Sequence, residues 1–152
     1  MDFKCFMKLL EEKKYIEEIG ICKDISVNYK CKYEEVTNKI IEEIQDWHKT
    51  DDDYMHNIRY QKTGKGIKII FVNETKKLLS NILNRQEKRI VHENDIDDIN
   101  LTQLLENDED YSVSWNSMWD YYTVTDLNAK RKREDKENKE KEECLEFLKQ
   151  LP

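Results

Sequence analysis

Between His56 and Leu83 the chain reads HNIRYQKTGKGIKIIFVNETKKLLSNIL, and this stretch constrains the fold more than any other because its local signal is complete. Two apolar-alternating runs flank Thr63-Gly64-Lys65-Gly66, which predicts two strands joined by a tight turn. With the loop at Gly64-Lys65, Tyr60 faces Ile69 and Ile58 faces Phe71, so the apolar side chains of both strands share one side. Glycine at the first loop position predicts a type II′ turn. Asn73 is then placed to cap a helix whose Leu78, Leu79, Ile82 and Leu83 form an apolar stripe. The expectation is that this stripe packs on the hairpin face of Ile58, Tyr60, Ile69 and Phe71.

Upstream, Phe3, Phe6, Met7 and Leu10 predict a helix over residues 2–19 that stops at Gly20. Ile25, Val27 and Tyr29 alternate with polar residues, which predicts a third strand beside the hairpin. Tyr33, Val36, Ile40, Ile44 and Trp47 recur at helical spacing and predict a helix over 33–48, ended by a solvated loop at 50–53.

Downstream, Asn100-Leu101-Thr102-Gln103 resembles a capping box opening a short helix. Residues 107–126 read in two ways. As a hairpin around Asn116-Ser117-Met118 they pair Trp115 with Trp119, Val113 with Tyr121 and Tyr111 with Thr123; as a helix from Trp115 they place Trp115, Met118, Trp119 and Tyr122 on one face. Enrichment in Tyr, Trp, Val and Thr favours the hairpin. From 128 to 143 every residue except Ala129 is charged or Asn, which makes this stretch a solvated helix with pairs such as Glu137–Lys141, or a disordered linker. Cys144, Leu145, Phe147, Leu148 and Leu151 then resume an apolar stripe, expected to anchor on the domain or on a second copy. The class expected is α+β: a small antiparallel sheet built on one or two β-hairpins and packed against two or three helices. Residues 1–126 form a single domain in this reading, and 127–152 a charged helical extension with an apolar terminal anchor.

Charge and cysteine usage narrow the function classes. At 38% hydrophobic and 39% charged the chain is lean but carries enough aromatic and aliphatic residues for a core. The net charge of −7 hides a division: residues 54–90 hold nine basic residues against two acids, whereas 91–126 hold ten acids and no Lys or Arg. Cys5, Cys22, Cys31 and Cys144 form no CxxC pair and no secretory leader is expected before them, so reduced thiols in a cytoplasmic or nuclear setting are expected. No apolar run approaches the ~18 residues of a membrane span, so no membrane partner is expected.

Motifs for chemistry are thin. Thr63-Gly64-Lys65-Gly66 lacks the Walker spacing and joins two strands, where a phosphate loop must open a helix. His48, His56 and Asp51 to Asp53 match neither a zinc nor an EF-hand pattern, and no cysteine has a base beside it in sequence. No catalytic residue, metal or cofactor is therefore expected. Free cysteines of this kind are expected as small buried hydrophobes. Lys130-Arg131-Lys132-Arg133 is a weak match to a nuclear-localisation cluster.

Two binding readings follow. The favoured one is a non-catalytic interaction protein, an inhibitor, immunity-type protein or adaptor, which meets a protein partner with a basic surface through Asp108, Asp110, Tyr111, Trp115, Trp119, Asp120 and Tyr122. The alternative is a winged-helix-like nucleic-acid regulator using Arg59, Lys62, Lys65 and Lys68 on the basic hairpin. Against it, Glu34, Glu35, Glu42, Glu43 and Asp46 on the preceding helix would repel phosphate.

Overall fold

In the computed structural model, which describes residues 2–152, the central hairpin has the register expected of it. Strand β3 (Ile58–Lys62) pairs antiparallel with β4 (Gly66–Phe71), Ile58 opposite Phe71 and Tyr60 opposite Ile69. The turn differs from expectation: no glycine has a positive φ, so it is not type II′. It closes through Thr63, whose N–H donates to Gly66 O at 3.0 Å and whose Oγ1 accepts from Gly66 N at 3.0 Å. Gly66 serves close approach instead, since a Cβ there would lie 2.3 Å from Tyr29 O on β2 (Ser26–Cys31). That strand pairs with β4, as expected for a third strand, and β1 (Ile16–Cys22) pairs with β2, giving the order β1-β2-β4-β3.

Strand β1 corrects the long first helix. Helix α1 (Phe3–Glu12) stops early, Lys14 turns the chain with φ 61°, and Gly20 lies within a strand beside a register shift. Ile16 and Ile19 leave the apolar stripe of α1 because they belong to this strand. Helix α2 (Glu34–Trp47) follows the expected pattern, and a short α3 (Asp53–His56) rises from the acidic loop under an Asp52 cap.

One face of this sheet is covered by α1 and α2. Phe3, Met7, Ile40, Ile44 and Met55 join Ile16, Ile58, Ile67 and Ile69 in one buried cluster, with Tyr60 and Phe71 at its edge. Helix α4 (Val72–Leu83) contributes nothing to that cluster, contrary to expectation. It begins on the residue after β4, with no loop to reverse the chain onto the hairpin face. Its cap is not Asn73 either: Asn57 O accepts from Val72 N at 2.9 Å and Asn57 Oδ1 from Asn73 N at 2.6 Å.

The second sheet has the order β5-β7-β6, built from β5 (Lys88–His92), β6 (Tyr111–Asn116) and β7 (Tyr121–Asp126). Residues 107–126 are therefore a hairpin, but its register is three residues from the expected one: Trp115 opposes Tyr122 and Val113 opposes Val124, and the loop spans residues 117–120. A shift by an odd number exchanges the faces of β7, and here it carries Tyr122 and Val124 inward. Leu101 and Leu105 are also buried; Leu101 opens α5 (Leu101–Leu104), whose Asn100 Oδ1 accepts from Gln103 N as the capping box implied. Asp126 caps α6 (Leu127–Lys149) by accepting from Asn128 N and Ala129 N at 3.0 Å. The charged stretch is thus helical, with no buried residue, and Leu145, Phe147 and Leu148 near the end of α6, with Leu151 beyond it, are exposed.

The α+β class holds, with two small antiparallel sheets and six α-helices among the described residues. Contacts group the chain to Ser80 together with Asn94–Ile99 as one compact unit, and Asn81–Glu93 with Asn100–Pro152 as another.

Candidate protein-interaction site

The β6–β7 hairpin ends in a loop that its own polar residues shape. Asn116 Oδ1 accepts from Met118 N at 3.1 Å and Trp119 N at 3.3 Å, and Asp120 turns the chain back with φ 52°. The loop thereby lifts Met118 and Trp119 out of the ladder, where they are 79% and 67% exposed. Trp115, 38% exposed, lies on the last turnward pair of the buried face and packs against Tyr122 with ring centroids 4.6 Å apart.

The expected site residues separate along this hairpin. Trp115, Trp119 and Asp120 gather at the tip. Tyr111 and Tyr122 are buried, and burial raises the Tyr122 phenol above its usual range, with Glu93 adding to the rise. Asp108 and Asp110 sit at the opposite end, six strand residues or about 20 Å from the tip. Asp108 Oδ1 accepts from Asp110 N and Tyr111 N, which sets the entry to β6, while Asp110 O accepts from Leu127 N and its Oδ1 from Asn128 Nδ2. These two acids therefore hold backbone and helix start. Met118 was missing from the expected set; a methionine beside a tryptophan between turn-forming residues was the available signal.

On the other side of this sheet Ile90 and His92 are exposed beside Thr123 and Tyr121, with Ser112 and Ser114 completing an open polar face. The second exposed apolar group is the end of α6, where a run of Leu and Phe caps an otherwise charged helix.

The basic hairpin is largely occupied within its own unit. Lys68, 6% exposed, donates from Nζ to Asp97 O at 2.7 Å and lies 3.6 Å from Asp97 Oδ2, which also accepts from Ser26 Oγ. Arg59 Nη1 donates to His56 O and Ile58 O, and Lys62 Nζ pairs with Glu34 at 3.1 Å. Lys65 is exposed at the turn. Four residues expected to form one cationic surface thus reduce to a turn lysine with partly engaged neighbours.

His48 and His56 stack with centroids 6.3 Å apart, and each ring Nε2 bonds a backbone oxygen, Ile58 O and Thr50 O respectively. No group of three or more His, Cys, Asp or Glu able to hold a metal occurs among the described residues. All four cysteines are free; Cys5 and Cys144 are exposed, unlike the buried hydrophobes expected, and Cys22, lying beside Asp97, has its thiol pushed up by burial first and by that carboxylate second. Among the described residues no helix is long and apolar enough to cross a membrane. Comparison with protein families, curated proteins and solved structures finds no match to this chain.

Proposed function

We propose that this chain is a non-catalytic interaction protein, of the inhibitor, immunity or adaptor kind, that seats the tip of its β6–β7 hairpin in a protein partner with a basic surface. The observation that carries the reading is the exposure of Met118 and Trp119 side by side on a loop whose backbone is held by Asn116. Large rigid aromatics supply most binding energy where they fill a pocket, and a pre-shaped loop loses little entropy on docking. The partner's basic character follows from the acids near the tip, in a second unit whose residues 100–126 hold no Lys or Arg. Of those acids Asp120 adjoins the tip, and Glu93 follows β5 at the same end. Asp108 and Asp110 lie beyond about one Debye length and act on association weakly. A cytoplasmic setting belongs to the same proposal, since Cys5 and Cys144 stand exposed and unpaired.

The test compares proteins captured from host lysate by the wild type and by a Met118→Ser/Trp119→Ser variant. Both side chains are exposed, so the variant keeps the fold, and a partner held only by the wild type supports the site. An unchanged bound set would refute it.

A further inference from the structure

A cleft of about 190 Å³ opens between α1 and the sheet of the first unit. We propose that it is a binding site for a neutral, ring-sized apolar molecule carrying one hydrogen-bonding group. This site is independent of the hairpin tip.

The floor is apolar: Phe3 and Met7 from α1, Val27 from β2, and Ile58, Ile69 and Phe71 from the hairpin. An engineered apolar cavity of about 150 Å³ stays dry and takes up benzene, so this volume fits one ring with a small substituent. Tyr29 and Tyr54 complete the lining, and neither hydroxyl forms a hydrogen bond to another described residue. Burial, then Glu18 and Glu11, hold the Tyr29 phenol at about 12, so at physiological pH it stays a neutral hydroxyl that can donate or accept, and it accepts from a ligand N–H such as that of indole.

Charge at the mouth argues for a neutral ligand. Lys4, Lys8 and Glu11 follow one another along α1, and Lys4 Nζ already lies 4.4 Å from the centre of the Tyr54 ring. Carboxylates act on both phenols, Glu18 and Glu11 on Tyr29 and Asp2 and Asp52 on Tyr54. A ligand anion would meet Glu11 and a ligand cation the two lysines, and the apolar floor offers no counter-charge to either.

The test is an amide-resolved NMR titration of the full chain with indole and, separately, with benzoate. Indole is expected to give saturable shifts confined to α1, Val27, Tyr54 and Ile69, with benzoate at least tenfold weaker. Val27→Phe fills the cleft and is expected to abolish the shifts. Tyr29→Phe/Tyr54→Phe removes only the hydroxyls and is expected to weaken indole several-fold, which decides the matter if Val27→Phe does not fold. Absence of saturable shifts, shifts mapping elsewhere, benzoate binding as tightly as indole, or unchanged affinity in the double phenylalanine variant would each overturn the site.

Discussion

Replacing Asp97 by Asn probes Lys68, the most deeply buried charge among the described residues. Lys68 and Asp97 have side chains 8% and 18% exposed, with Nζ and Oδ2 3.6 Å apart. At an effective dielectric near 20, unit charges at that separation attract by about 5 kcal/mol. Breaking a buried pair from one side costs about 3–5 kcal/mol, because the remaining ion is left desolvated without its counter-charge. Asn keeps an oxygen for Ser26 Oγ and tolerates the left-handed φ of 58° at this position, so backbone strain adds little. Asp97→Asn is therefore expected at the lower end, about 3 kcal/mol, in urea unfolding followed by circular dichroism with an unchanged slope. Lys68→Met combined with Asp97→Asn should be less destabilised than the two single changes added together, with a coupling of about 1 kcal/mol or more. A loss below about 1 kcal/mol for Asp97→Asn, or additivity in the double variant, would mean Lys68 is solvated and free to meet a phosphate.

The glycines of the central turn should behave oppositely: Gly66→Ala drives a Cβ to 2.3 Å from Tyr29 O and should cost more than about 3 kcal/mol, while Gly64→Ala meets nothing within 4 Å and should change the urea midpoint little. Trp119→Ala should alter stability by less than about 0.5 kcal/mol yet weaken the partner about 30-fold, chiefly through faster dissociation in a surface-binding assay, whereas Tyr122→Ala should cost about 3–5 kcal/mol of stability. His48 has a folded pKa lowered from 6.5 by burial first, opposed by its bond to Ile58 O and reinforced by Arg59, so the unfolded chain binds its proton more readily. That contribution to stability is complete above about pH 6.5 and is lost as pH falls through the lower folded value, and His48→Gln should flatten thermal melts across that window. If residues 1–126 unfold as one domain, urea transitions followed by tryptophan fluorescence and by circular dichroism should coincide.

Where neighbouring residues carry the whole signal, the sequence was enough. Alternation around the Gly64-Lys65 turn determined that Ile58 faces Phe71, because a slip by one residue would turn Ile58 and Tyr60 away from Ile69 and Phe71. Helical spacing from Val36 to Trp47, and Asn100 three residues before Gln103, likewise needed nothing distant. The misread elements turn on positive-φ residues that are not glycine: Lys14 after α1, Lys23 and Asp24 between β1 and β2, and Asp120 in the β6–β7 loop. Such conformations cost energy that only surrounding contacts offset, so composition does not announce them. Tertiary structure also decided what covers the hairpin, since α1 and α2 reach it from earlier in the chain while α4, which follows it directly, does not. The candidate site followed the same division. That Trp119 belongs to a hairpin was legible in its neighbours, but its exposure, the burial of Tyr122 and the separation of Asp108 from both depended on a register set by which face of β7 turns inward. Lys68 read as a surface cation for a similar reason: its counter-charge, Asp97, stands 29 residues away and meets it only when the chain is folded.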